Sequence, residues 1–270
     1  MTHDENNRSL IPVPSTALTT AKAATGRVLS EMVGEMLALA RTNAFASTGE
    51  YVNSLGMKFV PVAGTQVLFS VWETRVQDYV VFADETGREW PRPDFQQGPT
   101  HPAVNVNWED AAAFCAWLSK NEERKYRLPT DAEWSVAVGL GVEGGSTPAE
   151  KNFHAVGYPW GDAWPPPRGT GNYGRDLKVD DFDYTSPLGS FVANHFGLYD
   201  LGGNVYEWCE DRFHDGKKES LVAKEAPVLR GGSWYTTFEL ELRSSFRSFF
   251  GPTGRFPTLG FRCVLVVSES

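Results

Sequence analysis

The fold of this chain is decided by residues 228–265, which read VLRGGSWYTTFELELRSSFRSFFGPTGRFPTLGFRCVL. Glycine, arginine and aliphatic residues form a frame in this stretch, from Arg230–Trp234 at its start to Gly260–Cys263 at its end. The positions between are almost all aromatic, hydroxylic or small. Rigid aromatic rings combined with adaptable Ser, Thr and Gly are the mixture found on recognition surfaces. The frame positions are therefore predicted to form a scaffold, and the positions between them are predicted to form a contact surface.

Composition places the chain among globular proteins and limits its partners. The 270 residues are 41% hydrophobic and carry a net charge of −9, and a chain of this length can bury a full core. The acidic balance repels nucleic-acid phosphates and anionic lipid, and no basic stripe offsets it, so we expect no nucleic-acid partner. No apolar run has the length of a membrane span, and residues 1–15 lack the pattern of a signal peptide. These features predict a cytoplasmic protein without membrane insertion.

Two regions of the chain differ in composition. Residues 1–48 are dense in Pro, Thr and Ala up to Ala24, and apolar residues then recur at helical spacing between residues 27 and 41. This pattern predicts an N-terminal extension with one amphipathic helix, which either packs on the main domain or binds a partner. Residues 49–270 form the predicted main domain, with short strands and a few helices between many Gly and Pro. Three cysteines without CxxC spacing indicate buried free thiols.

Local signals position several elements of the main domain. Helix starts are predicted where a capping residue is followed three positions later by an acceptor side chain: Thr74 and Gln77, Asn107 and Asp110, Thr130 and Glu133. The helix from Trp108 to Lys120 is expected to bury Phe114 and Cys115. Residues 68–72 and 102–106 are predicted to be short strands.

Two loops carry oxygen ligands of the kind that a hard cation prefers. In residues 198–208, LYDLGGNVYEW, Asp200 and Glu207 flank two glycines that let the chain turn its carbonyl oxygens inward. In residues 172–187 an asparagine precedes three aspartates around Phe182. Ca²⁺ takes carboxylate and carbonyl oxygens of this type. On residue types alone, solvated acidic loops with ordinary Asx turns explain the pattern better than metal sites do.

Eight motifs in a fixed order give the chain a family resemblance. They are GMKFVPV, HPAVNVNWEDAAAFCAWL, YRLPTDAEW, YPWGD, SPLGSF, FGLYDLGGNVYEWCED, LRGGSW and GFRCV. Over roughly residues 50–266 this succession resembles the formylglycine-generating enzyme (sulfatase-modifying factor) family. The resemblance implies an α+β, C-type lectin-like fold that is rich in irregular structure, with small antiparallel sheets, a few helices and bound calcium.

The resemblance also assigns structural calcium ligands, carried over position by position. One site falls on Asn172, the Tyr173 carbonyl, Asp180 and the Phe182 carbonyl, and the other on Asp200, Gly203, the Val205 carbonyl and Glu207. The second site matches the family pattern better, because Asp181 stands where the family usually has glycine in the first.

The catalytic cysteines that the resemblance implies are missing from this chain. Enzymes of the family hold copper(I) with two cysteines shortly after the Gly-Gly-Ser-aromatic motif, and thiolates suit this soft ion. Here Gly231–Trp234 are followed by YTTFELELRSS, which contains no cysteine. We therefore expect no copper and assign no catalytic residue, and we do not expect Cys209 and Cys263 to meet as a replacement pair. The five histidines are scattered and form no metal-binding motif.

Without the catalytic pair, the C-terminal segment is predicted to bind a protein or another macromolecule. The assigned positions are Tyr235, Thr236, Thr237, Phe238, Phe246, Ser248, Phe249, Phe250, Thr253, Phe256 and Thr258. Scaffolds of this family also serve as variable proteins of diversity-generating retroelements, in which AAY codons become NNY. NNY codons cannot encode Glu, Lys, Gln, Met or Trp, and these types are absent from the positions assigned here.

Three alternatives to this function stay open. In the first, the chain is an ordinary family member whose loop happens to be aromatic. In the second, it is a metal-dependent oxidase with altered ligands. In the third, it is a regulatory or scaffolding domain that acts through its N-terminal helix.

Overall fold

The computed structural model describes residues 49–141, 143–152, 157–216 and 226–267. The chain divides between Thr48 and Gly49 into two units, and all of these residues belong to the second unit. The predicted amphipathic helix at residues 27–41 lies outside the described residues. None of the helices within the described ranges combines the length and the apolar character that a membrane span requires.

Short strands and helices separated by long loops make up the described residues. The strands are β1 (Tyr51–Val52), β2 (Lys58–Pro61), β3 (Val67–Ser70), β4 (Tyr126–Arg127), β5 (Tyr206–Arg212), β6 (Pro227–Arg230), β7 (Ser248–Phe249), β8 (Leu259–Gly260) and β9 (Val264–Val266). The α-helices are α1 (Val76–Thr86), α2 (Trp108–Glu122), α3 (Asp131–Val138) and α4 (Pro148–Lys151), and short 3₁₀ helices span Arg175–Leu177 and Glu239–Leu242.

The strands form two small sheets. The first has the order β1-β2-β3-β9-β4 and is antiparallel throughout. The second has the order β7-β6-β5-β8, in which β8 joins β5 in parallel. The predicted α+β architecture with small sheets and few helices is confirmed, with this one parallel pair as an addition.

One apolar core joins the two sheets. It contains Phe69 of β3, Val264 of β9, Cys209 of β5 and Val228 of β6, with the indole of Trp134 from α3 among them, and all five side chains are buried. Residues 231–258 therefore connect two strands of the second sheet, β6 and β8, whose positions this shared core fixes. The irregular C-terminal segment is thus anchored at both ends.

The predicted helix starts are correct for α2 and α3 and wrong by one residue for α1. Asn107 and Thr130 cap α2 and α3 as expected. Helix α1 instead follows Arg75, whose backbone N–H donates to Asp78 at 3.1 Å and whose guanidinium pairs with the same carboxylate. The backbone of Thr74 is occupied elsewhere, since its N–H donates to the Phe261 carbonyl at 2.8 Å. A neighbouring segment thus overrides the local capping signal.

The predicted strand at 102–106 is wrong. Pro102 makes only an isolated bridge to Arg75, and the backbone at Asn105 is left-handed with φ 55°. The N–H of Asn105 donates to the Phe256 carbonyl at 3.1 Å, so this segment connects separate loops instead of extending a sheet. The strand predicted at 68–72 is present as β3, and the helix predicted from Trp108 to Lys120 continues to Glu122.

Candidate functional site

Buried arginines anchor residues 228–265, the C-terminal segment described first. Arg230, Arg247 and Arg262 are at most 1% exposed. The Arg262 guanidinium binds both carboxylate oxygens of Glu207 in β5, with Nη2–Oε1 at 2.6 Å and Nε–Oε2 at 2.8 Å. Because a buried charge is stable only when it is paired and hydrogen-bonded, these contacts fix the backbone on either side of the irregular loops.

Asp131, at the start of α3, is the shared partner of the other two arginines. Its carboxylate contacts the guanidinium groups of Arg230 and Arg247, the latter with Nε–Oδ1 at 3.0 Å. Burial by itself raises the pKa of Asp131, but the two positive charges outweigh burial and hold this pKa below its ordinary value. Glu143 pairs with Arg247 in the same cluster, and its pKa is lowered in the same way. The cluster is an ionised, structural network.

The turn after β6 opens a cleft of about 670 Å³. Its lining consists of Gly174, Arg175, Asp176, Asp183, Tyr184, Tyr206, Ser233, Trp234, Tyr235, Thr236, Thr237, Phe238, Glu241 and Thr258. Aromatic, hydroxyl and carboxylate groups dominate this surface, which four separate parts of the chain supply: residues 174–184, Tyr206, residues 233–241 and Thr258.

The Gly-Gly-Ser-Trp motif builds one wall of the cleft. Gly231 and Gly232 have φ of 94° and 76°, and a Cβ at Gly232 would lie 2.7 Å from the Leu242 side chain. Trp234 follows this tight turn and is half-buried, and its backbone N–H donates to the Asn204 carbonyl at 2.9 Å. The Trp234 indole N–H donates to the Pro257 carbonyl at 2.9 Å. Two hydrogen bonds, one from its backbone and one from its indole, therefore fix Trp234 in this wall.

The opposite wall packs closely on the same segment. The Gly174 N–H donates to the Thr236 carbonyl at 2.9 Å, and a Cβ at Gly174 would lie 2.3 Å from the methyl group of Thr237. Only glycine permits this approach. The 3₁₀ helix that begins at Arg175 is thereby held against the residues that follow the Gly-Gly turn.

The binding face predicted from the sequence divides into two groups. Five of its positions line the cleft: Tyr235, Thr236, Thr237, Phe238 and Thr258. Of these, Thr236 is buried, and its hydroxyl accepts the Ser233 backbone N–H at 3.1 Å, so its side chain holds the loop.

The remaining predicted positions lie outside the cleft lining. They are Phe246, Ser248, Phe249, Phe250, Thr253 and Phe256. Ser248 and Phe249 form β7, and the Phe249 ring centroid is 4.3 Å from that of Phe213. The rings of Phe250 and Phe256 meet edge to face with centroids 4.9 Å apart. These aromatic residues partly cover one another and form a second surface group.

Tyr184 from a distant loop lines the cleft, and Phe95 from another loop supports its ring. The Tyr184 ring stacks on Phe95 with centroids 4.4 Å apart and meets the Trp234 ring edge to face at 5.2 Å. Tyr235 and Phe238 expose 73% and 71% of their side chains. Sequence reasoning missed Phe95 and Tyr184, because long loops that carry no periodic signal bring them to the site.

None of the three cysteines lies in the described cleft lining. The Sγ atoms of Cys115 in α2 and Cys263 before β9 are 3.5 Å apart, so Cys263 meets Cys115 rather than Cys209. All three thiols are free and buried, as the sequence predicts. Burial raises the pKa of Cys115 and of Cys209 well above the ordinary value, which favours the protonated thiols. The described residues that line the cleft offer no sulfur, and they do not fit a dicysteine copper(I) site.

The first predicted calcium loop is held by an aspartate. Asp180 accepts the backbone N–H groups of Tyr173 at 3.0 Å and Phe182 at 2.9 Å. Asn172 is fully buried, and its amide nitrogen donates to the Tyr184 carbonyl at 2.8 Å. Its side-chain oxygen has no hydrogen-bond partner among the described residues. A buried oxygen without a donor is costly unless it meets a water or a cation, so this loop fits a hard metal ion.

The second predicted calcium loop packs directly on the first. Gly203 has φ 85°, and a Cβ there would lie 2.3 Å from the Asn172 carbonyl oxygen. One oxygen of Asp200 accepts the Gly189 N–H at 2.9 Å, and the other has no partner in the described structure. Asp200 lines a second cavity, of about 240 Å³, and burial raises its pKa to about 6. This free carboxylate oxygen fits a cation as well.

Glu207, the last predicted ligand of the second loop, faces a different partner. Both of its oxygens are bound by Arg262, and Oε2 also accepts the Trp134 indole N–H at 3.0 Å. Val205 is buried beside it. The structure therefore packs Gly203 of the second loop on Asn172 of the first, whereas the side chain of Glu207 belongs to the buried ion pair.

A further buried carboxylate lies nearby, and sequence reasoning missed it. Glu73 is 1% exposed, and one of its oxygens accepts the Asn204 amide N–H at 3.1 Å while the other has no partner in the residues described. Burial, together with the charges of Asp200 and Glu207, raises the pKa of Glu73. Its only sequence signal is an acidic residue directly after a buried strand.

Comparison with known proteins identifies the family. Residues 25–267 match the sulfatase-modifying factor enzyme 1-like domain, a match that begins inside the predicted N-terminal extension. The formylglycine-generating enzyme of Bos taurus is 30% identical over 191 residues, which are 66% of this chain and 48% of that protein. The inactive C-alpha-formylglycine-generating enzyme 2 of Bos taurus is 34% identical over 171 residues, 60% of this chain and 49% of that protein. The chain thus spans about half the length of these curated relatives.

Solved structures share the fold at low sequence identity. PvdO from Pseudomonas aeruginosa superimposes with a TM-score of 0.61 and 23% identity, over 81% of this chain and 98% of that one. Treponema denticola variable protein 1 superimposes with a TM-score of 0.58 and 20% identity, over 82% of this chain and 100% of that one. The chain therefore belongs to the sulfatase-modifying factor (formylglycine-generating enzyme) family and has its C-type lectin-like fold.

Proposed function

We propose that this chain is a non-catalytic binding protein whose cleft takes a protein ligand. The observation that carries the proposal is the exposure of Tyr235 and Phe238, which leave 73% and 71% of their side chains in water at the edge of a 670 Å³ cleft. Exposed aromatic residues grouped around a concavity are typical of interaction sites, where they supply large contact area with little loss of rotamer freedom.

Two further features support binding without catalysis. The described cleft lining contains no thiol, and the three cysteines of the chain are buried elsewhere. A relative at 34% identity is itself named as an inactive member of the family. An oxidase with altered ligands would instead consume oxygen in the presence of a thiol peptide and copper or iron, and stoichiometric consumption would overturn the non-catalytic proposal.

Selection from a displayed library of random peptides tests binding. We expect peptides that bind the wild-type chain and lose at least about tenfold in affinity, or about 1.4 kcal/mol, with the double variant Tyr235→Ser/Phe238→Ser. The matched control is Tyr199→Ser, which removes a half-buried ring that stacks on Trp72 outside the cleft. If every selected peptide binds wild type and double variant equally, the cleft is not the binding site.

We also propose that the C-terminal segment is diversified, as in the variable protein of a diversity-generating retroelement. The support is a fold shared with Treponema denticola variable protein 1 and a set of C-terminal positions, most of them exposed or half-buried, whose residue types NNY codons can encode. Sequencing of the surrounding locus tests it. We expect a near-copy of the 3′ coding repeat with adenines at these codons, beside a reverse transcriptase gene. The absence of both would contradict diversification.

Structural calcium is the proposed cofactor, with one site on the loop of Asn172 and another on the loop of Asp200. Its support is the pair of unpartnered buried oxygens on Asn172 and Asp200, in two loops that pack on each other. We expect the melting temperature in 1 mM Ca²⁺ to exceed that in EDTA by about 5–10 °C, since a ligand at about 100 times its Kd stabilises by about 2.7 kcal/mol. Asn172→Ala should reduce this shift, because it removes a ligand of the first site, and Asn121→Ala, at an exposed position in α2, should retain the full shift. Equal melting temperatures with and without calcium would refute the proposal.

A cytoplasmic location is likewise proposed. Its support is that Cys115, Cys209 and Cys263 are free thiols, as is usual in a reducing compartment. Recovery of the native protein in the membrane or secreted fraction would contradict this location.

A further inference from the structure

We propose that the cleft recognises a basic side chain, a lysine or an arginine, on its protein ligand. The inference rests on the proposed function and specifies its chemistry. It follows from one juxtaposition: aromatic rings and uncompensated carboxylates line the same cavity.

The charges of the lining are unbalanced. Asp176, Asp183 and Glu241 face one cation, Arg175, so the lining carries a net charge of −2. Arg175 already pairs with Asp183, with Nε–Oδ1 at 3.0 Å. Neither Asp176 nor Glu241 has an ion-pair partner in the described part of the chain. Among the described side chains, the Tyr206 hydroxyl donates a hydrogen bond to the Glu241 carboxylate at 3.3 Å. A ligand cation would supply the missing counter-charge to both carboxylates.

The aromatic rings suit the same ligand. A cation over the face of Tyr or Trp, within about 6 Å of the ring centroid, gains about 0.5–2 kcal/mol, which corresponds to about a two- to thirtyfold change in affinity. The aliphatic stem of lysine or arginine packs on such rings while its charged head reaches a carboxylate. Tyr184, Trp234 and Tyr235 form a continuous edge-to-face series beside the acids, with successive centroids 5.2 and 5.6 Å apart. The cleft therefore offers a place for the stem as well as for the charge.

Other ligand charges are disfavoured by the same lining. An anionic group would meet the net negative charge of the cleft and of the whole chain, which carries −9. A neutral apolar group would cover Glu241 and leave it without a counter-charge, which is costly. Charge complementarity thus selects a basic partner.

Small probes of defined charge test the inference directly. N-acetyl-arginine amide and its neutral isostere N-acetyl-citrulline amide are titrated into the full chain, and binding is followed by NMR. We expect arginine amide to bind with a Kd in the millimolar range and the citrulline compound to bind at least about fivefold more weakly. Binding of arginine amide should also weaken between 0.05 and 0.5 M NaCl, because salt screens a charge pair at the surface. Equal binding of the two probes, or no binding of either at the cleft, overturns the inference.

Two cleft variants are expected to change affinity in opposite directions. Glu241→Gln removes an unpaired acid and should weaken arginine amide binding about three- to fivefold. Arg175→Ala removes the resident cation, frees Asp183 and should strengthen binding. A general disturbance of the structure cannot weaken arginine amide binding in one variant and strengthen it in the other. Glu89→Gln, at an exposed position outside the cleft lining, is the control and should leave the Kd unchanged.

The selected peptides separate failure of this inference from failure of the proposed function. Peptides that require Tyr235 and Phe238 but lack a basic residue would leave the binding function intact and refute the basic ligand. The inference predicts instead that these peptides contain Lys or Arg and lose affinity when that residue is replaced by norleucine or citrulline. If no peptide depends on the cleft residues, the proposed function fails, whereas the arginine amide titration still decides the chemistry of the cavity.

Discussion

The C-terminal segment buries its arginines and exposes two of its aromatic residues, which is the reverse of the usual arrangement. Within residues 228–265, Arg230, Arg247 and Arg262 are at most 1% exposed, whereas Tyr235 and Phe238 are more than 70% exposed. Arginine is almost never fully buried unless it is paired, and large aromatic residues are ordinarily inside. Buried charge pairs thus position the backbone of this segment, whereas the side chains of Tyr235 and Phe238 are little buried in it. Such a division lets the surface change without loss of the fold.

The buried pairs fix geometry because their hydrogen bonds are directional. Arg262 binds Glu207 through two parallel N–H···O contacts and also donates to the Tyr199 carbonyl at 2.8 Å. Burying two charges brings little net stability, but removing one partner leaves the other uncompensated. The arginines are therefore expected to be sensitive positions, and the exposed rings tolerant ones.

The largest expected effect comes from breaking the central pair. Arg262→Met leaves Glu207 buried without its counter-charge, and we expect a loss of about 3–5 kcal/mol in the free energy of unfolding. Urea denaturation measures this loss. Arg168→Met is the control, because Arg168 pairs with Asp181 at the surface, where both side chains are more than 60% exposed, and should cost at most about 1 kcal/mol. Equal losses in the two variants would contradict a charge-held scaffold.

A glycine pair tests the packing of the two acidic loops on each other. Gly203→Ala forces a Cβ to 2.3 Å from the Asn172 carbonyl and should cost about 2–4 kcal/mol, the sum of overpacking and left-handed strain. Gly56 also has a left-handed φ, of 71°, but no atom lies within 4 Å of its Cβ position. Gly56→Ala should therefore cost only about 1 kcal/mol. A similar cost at both sites would show that the loops separate readily.

Acid should weaken the Asp131 cluster. The pKa values of Asp131 and Glu143 are lower in the folded state than in the unfolded state. Their contribution is therefore fully present above the unfolded pKa and is lost as the pH falls through the folded one. We expect the free energy of unfolding to fall below about pH 4, by up to about 1.4 kcal/mol per pH unit for each proton taken up. Glu143→Gln should reduce this slope in urea titrations at several pH values. An unchanged slope would mean that Glu143 has no part in the acid response.

Much of the scaffold could be predicted from the sequence, because its signals are either local, as in helix caps, or consist of motifs in a fixed order along the chain. The Asn107 and Thr130 caps depend on residues three positions away, and both are correct. Thr74 fails as a cap because its backbone pairs with Phe261, a contact across 187 residues that no local pattern contains. Likewise, the succession of eight motifs identifies the family, but it does not specify which loops meet.

The cleft was less predictable than the scaffold. Tyr235, Phe238 and Thr258 were assigned from composition and do line it. Phe250 and Phe256 have the same composition signal, but they pair with each other outside the cleft lining. Glu207 was assigned as a metal ligand, and only the fold reveals that Arg262 occupies both of its oxygens. The residue type shows which contacts a side chain is able to make, whereas the partner that it actually meets depends on how the long loops fold.

We infer that the exposed rings of Tyr235 and Phe238 serve binding and contribute little to the stability of the fold. One measurement tests it most directly: the free energy of unfolding and the peptide affinity of Tyr235→Ser/Phe238→Ser, each compared with wild type. We predict an unfolding free energy within about 0.5 kcal/mol of wild type, as expected for exposed positions, together with at least a tenfold loss of peptide affinity, about 1.4 kcal/mol. A loss of several kcal/mol in stability, or an unchanged affinity, would contradict the account.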